Sequence, residues 1–411
     1  MGRLGRPRIE AGLLAIFVLL VLVGSKQPRY TPFVLWVVVP AMAAGSLAYS
    51  RFRIAIVPEF WLRIAFVVFG VAGAFYAQEP DLVLRQLRAL AGSTVIWIPL
   101  LVFIGMRGRI RAFLVGVFLS ASILCLRAII QTHSGPWDPS SVRMSGDLAN
   151  PNQLAFIFLY GIMSAVYLLS RIRAWTLRIL LFFGSGFLAF GILATGSRKT
   201  LVAGLVFAVL YSAWRRTKIQ SAMAVIALCF LGLLSSGPLI NYLQDETIVG
   251  RRMEAAQFER GVGRREALLR DAFSAFAEHP IVGVGLGNVV VHSATGGEAH
   301  NDIAEVLAST GVIGFGLYLA VYISFAGRIW RLSRHDYFGK GLYKEVVFLR
   351  AVFVTFLILG LGMPLFFTLE GMILMGALIF RSFFLERNVA SIPDRSTTLN
   401  PGPLTGSRNY P

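Results

Sequence analysis

The chain has 411 residues, 56% of them hydrophobic and only 15% charged, with a formal net charge of +18 and a mean hydropathy of +0.69. A water-soluble domain of this composition would expose large apolar patches, so soluble classes are excluded. Nucleic-acid binding is excluded as well: Lys and Arg are not gathered in one polar block but fall in short loops between apolar runs, where the positive-inside bias places them.

Apolar runs of about 17–22 residues recur along the chain, long enough to cross a hydrocarbon core of about 30 Å as helices, and about twelve are present. The first, 11–24, follows Arg3, Arg6 and Arg8. It lacks a small-residue cleavage site before Lys26 and reads as a retained helix. Further runs cover 31–49, 54–77, 89–106, 112–130, 153–170, 179–195, 200–214 and 219–234. The last three cover 311–325, 346–366 and 372–385. Every second loop is basic, as at Arg107, Arg109 and Arg111 or Arg171, Arg173 and Arg178. That alternation predicts cytoplasmic termini and an external position for the polar segment after the ninth run.

The expected organisation is an all-α polytopic membrane protein in four parts. Residues 1–234 carry nine spans, 235–310 form one long external helical loop, 311–388 carry three spans, and 389–411 form a disordered cytoplasmic tail. The two cysteines, Cys125 and Cys229, lie in apolar runs and support neither a disulfide framework nor a thiolate metal site.

Within the external loop, Leu268, Leu269, Ala272, Phe273 and Phe276 recur at helical spacing. They predict a helix over 265–277 that His279-Pro280 ends. Arg264 and Arg265 then fall at its N-terminal end, where a cation destabilises by roughly 0.3–1 kcal/mol. The placement points either to an anion held by guanidinium groups or to two side chains in water. A glycine-rich bend follows, Ile281-Val282-Gly283-Val284-Gly285-Leu286-Gly287-Asn288. No strand–helix–strand unit surrounds it, so it is not a dinucleotide loop.

His300 precedes a helix that Asn301 or Asp302 can cap. The positive pole of that helix disfavours the imidazolium and leaves a neutral ring able to accept a proton. The alternative is a plain cap with a histidine beside it. Arg198 and Lys199 lie in a short loop on the expected outer face, against the topological bias, and so indicate lipid head groups or a specific phosphate. Arg85 and Arg88 fall on the same side as phosphate contacts or interface anchors. Asn150-Pro151-Asn152-Gln153 is a helix start. Arg63, Arg127, Arg350 and Glu370 are charges in or near apolar runs. The chain has no Walker loop, no His-Glu-x-x-His, no Gly-x-Ser-x-Gly and no Asp-x-Asp pair for a nucleotide-bound metal.

Three ordered segments resemble the O-antigen ligase and polysaccharide polymerase superfamily of bacterial inner-membrane proteins. These are Asn150-Pro151-Asn152-Gln153-Leu154-Ala155, then Thr195-Gly196-Ser197-Arg198-Lys199-Thr200, then the loop from Arg265 through the glycine bend to Ala299-His300-Asn301-Asp302 and Gly311-Val312-Ile313-Gly314. Leu269 stands where the family often has Trp, and Ser309-Thr310 where it often has Glu before a glycine. The resemblance implies a GT-C-like membrane glycosyltransferase that moves an O-antigen glycan from undecaprenyl pyrophosphate to lipid A-core on the periplasmic face. It implies His300 as base, with Arg265, Arg264, Arg198 and Lys199 on the donor pyrophosphate. Further candidates are Arg85, Arg88, Arg251, Arg252, Asn301 and Glu305. Pyrophosphate leaves readily once its charge is compensated, so an inverting transfer without metal or cofactor is expected. A polymerase, a protein O-oligosaccharyltransferase and, from another class, a transporter of lipid-linked sugars are the alternatives.

Overall fold

The computed structural model describes residues 6–27, 29–53, 55–133, 150–215, 255–294, 296–334 and 340–390. Among them every regular element is helical. In chain order these are α1 (Arg6–Gly24), α2 (Thr31–Tyr49), α3 (Pro58–Phe75), α4 (Pro80–Met106), α5 (Ile110–His133), α6 (Pro151–Leu169), α7 (Trp175–Thr195) and α8 (Arg198–Arg215). They continue as α9 (Ala255–Glu278), the short α10 (Val289–His292), α11 (Asp302–Arg334), α12 (Lys340–Gly360) and α13 (Leu369–Ala390). Seven, namely α2 to α7 and α11, have both the length and the hydropathy of a membrane crossing. The chain is therefore a multi-pass membrane protein. The expected span at 219–234, Cys229, Arg251, Arg252 and the tail from 391 lie outside the described residues.

Several boundaries differ from the hydropathy reading, each for a local reason. Pro58 and Pro80 open α3 and α4, because a proline at the first helical position loses no hydrogen bond. α4 thus begins before the apolar stretch, and Arg85 and Arg88 are on the helix rather than ahead of it. α12 stops at Gly360, and residues 361–368 form a loop with a 3₁₀ turn at Leu365–Phe367. Gly362 and Pro364 break what reads as one span to 366. α11 begins at Asp302, so the drop in polarity near residue 310 falls inside a helix.

α11 is interrupted at Gly311, whose φ of 59° and ψ of −165° are not helical. The glycine bend lies across that interruption. Val284 N donates to Ala308 O at 3.0 Å and Gly285 N to Ser309 O at 3.0 Å, while Val312 N donates to Pro280 O at 2.9 Å and Ile313 N to Ile281 O at 3.3 Å. Carbonyls and amides that a broken helix would leave unpaired are thus satisfied by another segment. The approach leaves no room for side chains: a Cβ on Gly311 would lie 2.4 Å from the Ile281 carbonyl carbon, and one on Gly283 2.4 Å from Thr310 N. The bend is also held from below, where Asn288 Nδ2 donates to Glu79 O at 3.1 Å, Asn288 Oδ1 accepts from Glu79 N at 2.9 Å, and Tyr76 OH donates to Val282 O at 2.8 Å. α9 packs on this assembly through a small separate core of Ala272, Ala275, Val284, Val289, Ala299, Ala304 and Ala308. Phe273, expected on the packed face, is 49% exposed, and Ala275 takes its place.

The helices alternate between two faces. Three ion-pair groups join helix ends on one of them: Glu10 with Arg109 at 3.0 Å, Arg328 with Glu59 at 2.8 Å and Glu386 at 3.3 Å, and Glu345 with Arg381 and, at 3.8 Å, Arg171. Mid-bundle, Phe366 packs on Phe66 and Tyr318 with ring centroids 4.9 Å away in each case, and Trp97 on Phe380 at 5.4 Å. Arg63 is fully buried in this layer. It donates to Ser93 Oγ at 2.6 Å and Thr94 Oγ1 at 3.1 Å and lies over the rings of Trp97 and Phe366. Arg350 lies 4.0 Å from the Trp214 ring centroid.

The break makes a direct prediction. Gly311→Ala forces a left-handed alanine, costing about 1–3 kcal/mol, and adds the contact with Ile281. The purified variant should melt well below wild type in a detergent thermal scan, whereas Gly316→Ala, in open space, should melt normally.

Candidate functional site

On the opposite face from the ion-pair groups, helix ends and loops enclose a cavity of about 700 Å³. Its lining comes from the α1–α2 turn (Ser25, Lys26, Thr31), from Gln86 on α4 and from the start of α6 (Asn150, Asn152, Gln153). Lys199 on α8, Arg264 and Arg265 on α9, Gly287 of the bend, the Glu298–Glu305 segment and the 362–370 loop complete it.

Four helices present their N-termini here. Asn150 Oδ1 caps α6 by accepting from Asn152 N at 2.9 Å, Arg198 opens α8, Asn301 Oδ1 accepts from Ile303 N and Ala304 N at 2.9 and 3.1 Å at α11, and Thr368 Oγ1 accepts from Gly371 N at 3.2 Å at α13. N-termini carry partial positive charge, so the backbone itself favours an anion in this space.

His300, Lys199, Arg264 and Arg265, all singled out from sequence, share the cavity. The two arginines lie well inside α9, which starts at Ala255 and not at 265. The expected penalty at a helix end therefore does not arise, and they need another account. Both are exposed and make no ion pair among the described residues. Lys199 Nζ donates to Gly362 O. The imidazole of His300 is held below its ordinary value of 6.5, first by loss of water to the surrounding walls and then by the charges of Lys199, Arg265 and Arg264. The helix pole expected from sequence acts in the same direction as these walls and cations. Glu298, also in the lining, has its carboxyl raised by burial.

The segment that carries His300 is tied down on both sides. His300 takes a left-handed φ of 53°, a conformation in which histidine is enriched among non-glycine residues. Glu305 Oε2 accepts from Ala299 N at 2.8 Å, reaching back in the manner of a capping box. Asn301 is the cap, and its Nδ2 donates to Leu361 O at 3.2 Å. Asp302, a candidate cap from sequence, turns inward instead, where Oδ1 accepts from Phe366 N at 2.9 Å. Asn301 and Asp302 thereby fasten the histidine segment to the 361–368 loop.

Other candidates fall elsewhere. Arg198 is half-buried beside the cavity, and neither it nor the exposed Arg85 and Arg88 belongs to the lining. Lys26, Gln86, Glu298 and the loop from Gly362 to Leu369 are in the lining and were not foreseen. The glycines and proline of 360–364 were the available signal for that loop. Among the described residues no cluster of three or more His, Cys, Asp or Glu has metal-binding geometry.

Comparison with known proteins bears on the same segment. Residues 183–319 match the family model described as O-antigen ligase. That match covers about a third of the chain. The chain is also 28% identical over 221 residues to an O-antigen ligase of Pseudomonas aeruginosa. The match covers 53% of this chain and 50% of that protein, so the chain spans about half the length of the curated relative it matches. The matched domain contributes Lys199, Arg264, Arg265, His300 and Glu305 to the cavity, while Lys26, Gln86, Gln153 and Glu370 come from outside it.

Asp302→Ala should release the 361–368 loop. Hydrogen exchange of Phe366 and its neighbours should rise by an order of magnitude or more, as expected when a buried amide loses its acceptor at a cost of about 1–3 kcal/mol. Asp302→Asn, which keeps an acceptor oxygen, should stay closer to wild type.

Proposed function

We propose that this protein is an O-antigen ligase, transferring a glycan from undecaprenyl pyrophosphate to lipid A-core at the outer face of the bacterial inner membrane. The observation that carries the reading is a single cavity at one end of a membrane helix bundle. It joins a histidine biased toward its neutral form to Lys199, Arg264 and Arg265, beside four helix N-termini. The basic residues Arg51, Arg53, Arg107, Arg109, Arg171 and Arg173 lie at the other end. By the positive-inside bias that end is cytoplasmic and the cavity periplasmic.

The geometry suits direct displacement. Neutral His300 accepts the proton of the acceptor hydroxyl as that oxygen attacks the anomeric carbon. The bond between that carbon and the pyrophosphate oxygen breaks with inversion, and the leaving pyrophosphate takes up both electrons of the bond. Arg264, Arg265 and Lys199, with the helix N-termini, compensate the charge that develops on the leaving group in a partly dehydrated space. Protonated His300 then returns its proton to water.

Three measurements test this. Deleting the gene should strand long-chain glycan on its lipid carrier and leave lipopolysaccharide uncapped. Caps of a single repeat would instead indicate a polymerase, and unchanged lipopolysaccharide with modified protein glycans would indicate a protein O-oligosaccharyltransferase. In a reconstituted assay His300→Ala should lower the rate about 10²–10⁴-fold, the usual contribution of a general base; a rate near wild type removes the assignment. The third measurement is the pH profile. Because the imidazole is depressed below 6.5 and the neutral form is the active one, kcat/KM should rise with pH through a midpoint below 6.5 and then level. Lys199→Met removes the largest charge acting on His300 and should move that midpoint upward.

A further inference from the structure

The cavity has a second kind of wall. Lys26, at the end of α1, meets Glu370, in the first turn of α13, with Nζ 2.9 Å from Oε1. Their side chains are 11% and 2% exposed, and Lys26 Nζ also lies 3.5 Å from Gln153 Oε1. The pair cancels its own charge. Lys26 thus differs from Arg264 and Arg265, which have no carboxylate partner among the described residues and, with Lys199, are the cations acting on His300. Glu370 engages Lys26 through Oε1, and Oε2 makes no hydrogen bond to any described residue. Gln86 lines the same space.

A wall of this kind has little net charge and a dense set of both donors and acceptors. Two side-chain amides, an ammonium and a carboxylate oxygen suit an array of hydroxyl groups. They do not suit a phosphate, which the free carboxylate oxygen would repel. Burial makes such hydrogen bonds selective, because a partner lacking the matching hydroxyl leaves polar groups unpaired.

We propose that Lys26, Glu370, Gln153 and Gln86 form a carbohydrate subsite that binds the hydroxyls of a sugar ring, distinct in its chemistry from the unpaired cations that face the pyrophosphate. This subsite deepens the transferase reading and rests on it. The cavity is then divided by chemistry: charge compensation beside His300, and sugar recognition on elements that lie outside the matched family domain. The ring held here belongs either to the acceptor core or to the donor glycan, and the two share the chemistry of vicinal hydroxyls.

The test is binding by the full-length protein in nanodiscs, read by saturation-transfer NMR, and it does not depend on turnover. Two phosphate-free probes are used: dephosphorylated core oligosaccharide and repeat-unit glycan released from its carrier. At least one should bind wild type. The double variant Lys26→Met with Glu370→Gln removes both charges without stranding either. It should weaken binding roughly ten- to a hundred-fold, the range for hydrogen bonds to charged groups. Selective loss of the core probe assigns the acceptor ring, and selective loss of the repeat-unit probe assigns the donor ring. Inorganic pyrophosphate should bind the double variant as it binds wild type and should bind Arg265→Gln more weakly. Gln86→Ala and Gln153→Ala, which leave the ion pair in place, give the same reading if the double variant does not fold. Failure of both sugars to bind wild type, or equal binding to wild type and all three variants, overturns the subsite. A loss of transfer on gene deletion would still leave the ligase reading intact.

Discussion

The structure depends on a helix that stops being a helix for one residue. At Gly311 the ladder of α11 opens, and the glycine bend after α9 enters the gap and takes over its amides and carbonyls. This contact sets the angle of the first part of α11, which begins just after His300. The same bend fixes α9, which carries Arg264 and Arg265. His300 and the guanidinium groups come from segments separated in sequence, and their mutual placement is inherited from four backbone hydrogen bonds. Only glycine permits it, because any Cβ at 283 or 311 would meet backbone at 2.4 Å. The sequence pattern that resembles a nucleotide loop is therefore a splice between two helices.

Electrostatics at the cavity follow from assembly rather than from any one helix. Four N-termini converge with Lys199 and two arginines, while two of the three lining acids are engaged, Glu305 with Ala299 N and Glu370 with Lys26, and burial raises the carboxyl of the third, Glu298. Excess positive potential therefore remains where His300 sits, and it acts on the imidazole in the same direction as the loss of water. One arrangement favours an anion and lowers the imidazole's proton affinity, so two requirements of the proposed displacement share a single cause.

Much of this was legible beforehand, for identifiable reasons. Helix positions follow from hydropathy, because lipid allows few alternatives to a helix. His300, Lys199, Arg264 and Arg265 were visible as polar residues in places that helix stability or topology disfavours. What sequence hid was set by tertiary contact. Periodicity cannot see that α9 extends back to Ala255, since its early residues lack an apolar stripe. Hydropathy read the 361–366 stretch as membrane span because Leu361, Met363, Leu365 and Phe366 are apolar, although their backbone is a loop stitched to Asp302 and Asn301. Nothing local singles out Lys26, and only its meeting with Glu370, 344 positions away, makes it part of a wall.

The aromatic layer of Phe66, Trp97, Tyr318, Phe366 and Phe380, with Arg63 sealed inside it, lies between the cavity and the ion-paired ends. A hydrated chamber in a bilayer invites proton leakage, and an energised membrane tolerates little of it. Among the described residues, close-packed rings and a buried guanidinium oppose the passage of water and cations through this layer. A layer of this kind would let a chamber at one end of the bundle serve an occupant from that end alone, as the proposed transfer requires.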